Sequence, residues 1–134
     1  MLVTQLVAVR DFMSQPPLAL DSDTPVADAC KLMGEKHIGS ILVCRAGIAN
    51  AIFTERDLIS KVLPETKDLS KVTVGAYASS PLITVTPTTD VKEAARIMTE
   101  MKVKRVVVVR DGKPIGIFTA ADLARAAGKS PLEL

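Results

Sequence analysis

The pattern of hydrophobic and polar positions occurs twice along the chain, and the two copies align without a gap at an offset of 65 residues. Each copy opens on a short alternating apolar stretch, residues 18–20 or 82–85, which predicts a brief strand. Apolar residues then recur at helical spacing, so a helix is predicted to about Lys36 in the first copy and Lys102 in the second.

A threonine precedes each of these predicted helices. Thr24 is followed by Pro25, a residue type suited to the first helical position, and Thr89 is followed by Asp90, whose carboxylate favours the helix dipole. Because a threonine hydroxyl can accept from a free backbone N–H, we predict that Thr24 and Thr89 are the N-caps.

Two β-branched runs, Ser40–Arg45 and Arg105–Arg110, predict the next strand of each copy. A turn signal follows each run and predicts a hairpin into a last strand. The turn residues are Ala46-Gly47 and, as the stronger signal, Asp111-Gly112.

The last strand of each copy ends at Thr54 or Thr119, where a second helix is predicted to start. The predicted ends of these helices are Leu63, before Pro64, and about Ala127, before Gly128.

Two copies argue for a pair of units related by a pseudo-twofold axis rather than for a solenoid. The predicted fold class is therefore α/β (α+β), with two βαββα repeats packed sheet to sheet, since about 60 residues bury too little surface alone. We expect repeat 1 at residues 7–63, a charged linker at 64–71 and repeat 2 at 72–128.

Composition narrows the class of function. The 134 residues are 48% hydrophobic and 24% charged, as in ordinary folded proteins. A net charge of +2 and 3% aromatic residues argue against a nucleic-acid partner. No apolar run approaches the roughly 20 residues of a membrane helix, so we expect no membrane span and a cytoplasmic protein.

Few residues are available for chemistry. Cys30, Cys44 and the single histidine, His37, lack the spacing of a zinc site or a disulfide framework, so buried free thiols are expected. The sequence offers no nucleophile that can be paired with a base, no glycine-rich phosphate loop and no cluster of metal ligands. We therefore do not expect an enzyme or a required cofactor.

The repeated segment Ile-Phe-Thr-x-x-Asp-Leu contains Thr54 and Asp57 in one copy and Thr119 and Asp122 in the other. Its spacing fits a helix capping box, in which threonine and aspartate satisfy backbone N–H groups. The same groups fit a ribonucleotide, with the helix N-terminus toward a phosphate and the carboxylate accepting from ribose hydroxyls. Spacing alone leaves both interpretations open.

Taken together, these motifs resemble a pair of cystathionine β-synthase (CBS) domains, also called a Bateman module. The resemblance rests on the strand entry after Pro16 or Pro81, the Thr-Pro or Thr-Asp-Val helix start, the Val-rich hairpin and the Gly-Ile-Phe-Thr-x-x-Asp-Leu segment. It covers nearly the whole chain, although the first hairpin, Val-Cys-Arg-Ala-Gly, departs from the pattern.

The resemblance implies a regulatory sensor that binds an adenosine ligand in clefts between the repeats, forms a homodimer and signals to a protein partner in trans. AMP, ADP or ATP are the ligands we expect, with S-adenosylmethionine or a ligand-free interaction scaffold as alternatives. One implied cleft combines Asp122 and Thr119 with Ser14, Leu18 and Ile38. The other combines Asp57 and Thr54 with Ser79, Ile83 and Val103.

The two copies differ in the basic residues that the resemblance assigns to phosphates. Lys104 and Arg105 begin a strand in the second copy, where the first has Gly39 and Ser40. Arg56 compensates only in part. We therefore expect a charged nucleotide at Asp122 and a weaker or vacant site at Asp57.

Overall fold

The computed structural model describes residues 7–129, which form two compact units. One unit comprises residues 18–82. The other joins residues 83–129 to residues 7–17. Each unit contains a three-stranded sheet and helices, which confirms the predicted α/β class.

The unit of residues 18–82 has the strand order β1-β2-β3, with β1 parallel and β3 antiparallel to β2. Its strands are β1 (Ala19–Asp21), β2 (Ser40–Arg45) and β3 (Ile48–Thr54). Its helices are α1 (Val26–Lys36), α2 (Glu55–Asp57), which continues as a π-helix (Leu58–Val62), and α3 (Val74–Tyr77).

The other unit repeats this arrangement with the strand order β4-β5-β6. Its strands are β4 (Thr84–Val85), β5 (Arg105–Arg110) and β6 (Lys113–Thr119). Its helices are a 3-10 turn (Val9–Asp11), α4 (Val91–Met101) and α5 (Ala120–Lys129).

Both predicted hairpins are present, including the one with the weaker signal. Ala46 and Asp111 each have φ 52°, and Gly47 and Gly112 follow with φ 77° and 76°. Two successive left-handed residues form the type of turn whose twist matches the adjoining strands. Ala46 adopts this conformation without the side-chain advantage that an aspartate has there.

Each unit has its own hydrophobic core. Phe53 and Phe118, at equivalent positions of β3 and β6, are both fully buried. They pack among aliphatic residues of the first long helix and the central strand of their own unit.

Each sheet also pairs with one short segment that is distant in sequence. The backbone of Ser14 exchanges two hydrogen bonds with Ile117, of 2.9 and 3.0 Å, and Ser79 does the same with Ile52. Close packing supports the same pairing: a Cβ on Gly116 would lie 3.0 Å from the Ser14 carbonyl oxygen, and one on Gly75 would lie 2.7 Å from that of Ser22. The segment before each repeat therefore pairs with the sheet of the other sequence copy, and for that reason residues 7–17 belong to the same unit as residues 83–129.

The predicted N-caps of the long helices are wrong by one residue. Pro25 occupies the cap position of α1 with no side-chain hydrogen bond, and Asp90 caps α4 by accepting from the Lys92 N–H at 3.0 Å. Thr89 instead accepts from the Thr86 N–H in the preceding turn. In α4, Asp90 competes well with the neighbouring Thr89 for the cap, because both residue types accept from the first free N–H groups.

Several predicted boundaries also shift. The first strands are Ala19–Asp21 and Thr84–Val85 rather than 18–20 and 82–85. α4 ends at Met101, with Lys102 in the left-handed cap position. Gly128 lies inside α5 and does not end it.

The cysteines are free, as expected, but they are only partly buried. Burial still raises the pKa of the Cys30 thiol. Across residues 7–129, no group of three or more His, Cys, Asp or Glu side chains could hold a metal ion. No helix in the same range is long and apolar enough to cross a membrane.

Candidate functional site

Thr54 and Asp57 form a complete capping box where β3 passes into α2. The Asp57 N–H donates to Thr54 Oγ1 at 3.2 Å, and the Thr54 N–H donates to Asp57 Oδ2 at 2.9 Å. The Thr54 hydroxyl also donates to Oδ2, at 3.1 Å. The local chemistry therefore uses one carboxylate oxygen, Oδ2, for the cap.

Thr119 and Asp122 repeat this geometry where β6 passes into α5. The three corresponding distances are 3.2, 2.8 and 3.0 Å. Both aspartates are buried, with 3% of Asp57 and 5% of Asp122 exposed. The capping interpretation is thus confirmed in both copies, but it accounts only for Oδ2.

The second oxygen of Asp57 contacts a lysine and a serine. Oδ1 lies 2.9 Å from Lys61 Nζ and accepts from the Ser79 hydroxyl at 2.8 Å. Lys61 Nζ also donates to the Ser79 hydroxyl at 3.1 Å and to the Tyr77 carbonyl oxygen at 3.3 Å. A single ammonium group therefore joins the motif to the segment that contains α3.

The second oxygen of Asp122 contacts an arginine. Arg125 Nη2 lies 2.5 Å from Oδ1 and donates to the Phe12 carbonyl oxygen at 2.8 Å. Phe12 and Tyr77 occupy equivalent positions of the two copies. In both units, then, a cation bridges the second aspartate oxygen and the same carbonyl of the packed segment.

Lys61 and Arg125 were not among the residues predicted from the sequence. The signal was available, because Lys61 lies four residues after Asp57 and Arg125 three residues after Asp122, spacings that bring helical side chains together. The two cations are not at equivalent positions, so aligning the copies does not reveal them.

The two predicted serines, Ser79 and Ser14, make different contacts. Ser79 contacts Asp57 directly, as described above. Ser14 lies in the same unit as Asp122, held by its backbone pairing with Ile117, and is exposed.

The predicted basic residues lie beside the second motif. Arg105 is the cross-strand partner of Thr119, and the Lys104 carbonyl accepts from the Ala120 N–H at 2.9 Å. Ser40 and Gly39 hold the equivalent places in the first copy, with Ser40 opposite Thr54. Arg56 is exposed on α2.

The four predicted apolar residues are partly buried and divide between the units. Leu18 and Ile38 belong to the unit of Asp57, and Ile83 and Val103 to that of Asp122. Ile38, Ile83 and Val103 pack against the core of their own unit. The grouping of Leu18 and Ile38 with Asp122, and of Ile83 and Val103 with Asp57, stays a prediction.

An open groove of about 400 Å³ lies beside the first motif. It is bounded by the C-terminal end of α1 and the start of α2. Its lining residues are Cys30, Met33, Gly34, His37, Ile38, Gly39, Glu55 and Leu58.

A duplicated βαββα unit with a Thr-x-x-Asp motif and a buried aspartate in each copy places the chain in a class of paired modules that are typically regulatory. The chain belongs to the CBS domain family, whose sequence profile matches residues 9–64 and 74–129. Proteins built from such pairs are generally regulatory.

Individual relatives agree with this assignment. The chain is 35% identical over 114 residues to a protein of Methanocaldococcus jannaschii, covering 83% of this chain and 61% of that protein. It spans 53% and 58% of the lengths of two further curated relatives.

A conserved CBS domain protein of Thermoplasma acidophilum superimposes with a TM-score of 0.84 at 29% identity, covering 90% of this chain and 69% of that one. A hexameric CBS-CP12 protein from bloom-forming cyanobacteria has a TM-score of 0.86 at 25% identity, covering 97% and 78%.

Proposed function

We propose that this CBS pair is a regulatory module that binds an adenosine nucleotide, AMP, ADP or ATP, at its Thr-x-x-Asp motifs and signals to a partner protein. The observation that carries the proposal is that the two oxygens of each buried aspartate have different partners. A cap needs only Oδ2, yet Oδ1 of both aspartates lies outside the capping box and close to an exposed cationic side chain. A carboxylate oxygen in this position can accept from the hydroxyls of a ribose.

The charges around the second motif favour a phosphorylated ligand over S-adenosylmethionine. Arg105 is opposite Thr119 in the sheet, Lys104 precedes it, and the N-terminus of α5 adds the positive end of a ten-residue helix. The first motif has Ser40 and Gly39 in place of the basic pair. We therefore expect tighter nucleotide binding at Asp122 than at Asp57.

The thermal unfolding midpoint, measured with AMP, ADP, ATP, S-adenosylmethionine, GTP and dAMP in turn, tests this proposal. A ligand at about 100 times its dissociation constant stabilises the folded state by roughly 2.7 kcal/mol, which raises the midpoint by several degrees in a domain of this size. We expect a rise with the adenosine ribonucleotides and a much smaller one with dAMP and GTP. No rise with any of them would leave the motifs as helix caps in a protein-interaction scaffold.

A matched pair of variants assigns the effect to the motifs. Asp122→Asn keeps an oxygen for the cap but removes the charged acceptor, so it should abolish most of the rise while unfolding near the wild-type temperature without ligand. Asp57→Asn should remove less, because we expect the weaker site there.

A homodimer is part of the proposal. Ile59 and Leu63, four residues apart after α2, are 66% and 50% exposed, and two large aliphatic side chains so near in sequence suit an association surface. A monomeric mass by light scattering would contradict this part.

A further inference from the structure

We infer that Arg125 and Lys61 are the residues that select a phosphorylated nucleotide over its nucleoside, one at each motif. This inference rests on the proposed function and deepens it. Its starting observation is that both cations lie on the aspartate oxygen that the capping box does not use.

The cations change the charge at each motif. A buried carboxylate that accepts from a ribose would repel the phosphate attached to the same sugar, because like charges in a poorly solvated site interact strongly. A cation on Oδ1 neutralises the carboxylate. Each motif then offers the aspartate as an acceptor for a hydroxyl, and the cation in contact with that aspartate as a donor for an anion.

The two copies place their cations at different sequence positions. By the repeat alignment Lys61 matches Ala126, and Arg125 matches Ser60. Ala126 is fully buried in the core of its unit, so a charged side chain could not be accommodated there. The cation of the second copy lies one residue earlier and nevertheless contacts the same aspartate oxygen and the equivalent carbonyl. A bridge made from two different positions indicates that the charge at this point matters.

Both cations are exposed enough to reach a ligand. The side chains of Arg125 and Lys61 are 53% and 44% exposed. Arg125 uses only Nη2 for Asp122 and Phe12, and within residues 7–129 its Nε and Nη1 have no hydrogen-bond partner. A guanidinium with two donors available suits a phosphate better than an ammonium that already makes three contacts, as Lys61 does. We therefore expect Lys61 to hold a phosphate less tightly at the Asp57 site.

The test is calorimetric binding of AMP and of adenosine, with one site studied at a time. In a chain carrying Asp57→Asn, the Arg125→Ala variant should lower AMP affinity about ten- to hundredfold and change adenosine affinity by less than about twofold. Arg125→Lys should recover part of the loss. In a chain carrying Asp122→Asn, Lys61→Ala should lower AMP affinity about tenfold, again with little effect on adenosine.

Arg96→Ala is the matched control, because Arg96 is an arginine of the same unit paired with Glu93 and Glu100 on the surface of α4. It should leave the ratio of AMP to adenosine affinity unchanged. If Arg125→Ala weakens both ligands equally, Arg125 only positions Asp122. If it weakens neither, Arg125 takes no part in binding. Either result overturns the inference. If the wild-type protein binds neither AMP nor adenosine, the proposed function itself fails.

Discussion

The aspartates of the two Thr-x-x-Asp motifs divide their oxygens between different partners. Oδ2 closes the capping box in both copies, and Oδ1 contacts Lys61 or Arg125. The box could be predicted because it depends on three-residue spacing alone. The cations could be recognised only by following the helix one turn further, and their carbonyl partners, from Phe12 and Tyr77, only by knowing the tertiary packing.

Replacing Thr119 with alanine should measure the cap separately from any ligand. Thr119→Ala removes the acceptor of the Asp122 N–H and the hydroxyl donor to Oδ2, so we expect the free energy of unfolding to fall by about 1 kcal/mol. Urea unfolding without ligand gives the value. Thr119→Ser keeps the hydroxyl and should stay close to wild type, whereas an equal loss in both variants would mean that the methyl group, not the cap, is responsible.

Among the elements, the long helices and the hairpins followed from periodicity and turn chemistry, because both signals are local. The 3-10 turn at Val9–Asp11 and the helix α3 did not, since each is too short to form by its own propensity. Tertiary hydrogen bonds hold them, as when the Gly75 N–H donates to the Ser22 carbonyl at 2.9 Å. The π-helix after α2 likewise has no signal in the apolar spacing.

The two hairpins allow a reciprocal exchange. Ala46 and Asp111 have the same left-handed φ of 52°, which aspartate and asparagine tolerate better than alanine. Ala46→Asn should therefore raise the free energy of unfolding, and Asp111→Ala should lower it, each by about 0.5–1 kcal/mol. Changes of the same sign in the two variants, measured by urea unfolding, would show that backbone conformation does not determine the preference.

At the scale of the whole molecule, the repeats of the sequence and the units of the structure do not coincide. Each sequence copy begins with a short segment, Val9–Ser14 in the first and Val74–Ser79 in the second. This segment packs in the unit that the other copy mainly forms. Internal similarity reveals the copies but carries no information on which sheet each segment joins. Those pairings involve residues about 27 to 103 apart, such as Ser79 with Ile52 and Ser14 with Ile117, and local propensity does not encode them.

Amide hydrogen exchange on two matched core variants tests this division. Phe118→Leu loosens the core of the unit of Asp122, and Phe53→Leu does the same at the equivalent position of the other unit. Exchange follows the cooperative unit in which an amide is hydrogen-bonded, not its place in the sequence. Phe118→Leu should therefore accelerate exchange at Met13 and Ser14 more than at Ser79.

Phe53→Leu should do the reverse, accelerating exchange at Gly75 and Ser79 more than at Ser14, because these amides donate to the Ser22 and Ile52 carbonyls of its own unit. The opposite result, with Met13 and Ser14 responding to Phe53→Leu, would mean that each segment unfolds with the repeat that follows it in the chain. Arg125 and Lys61 would then bridge cooperative units rather than lie within one, because each donates to a carbonyl of such a segment.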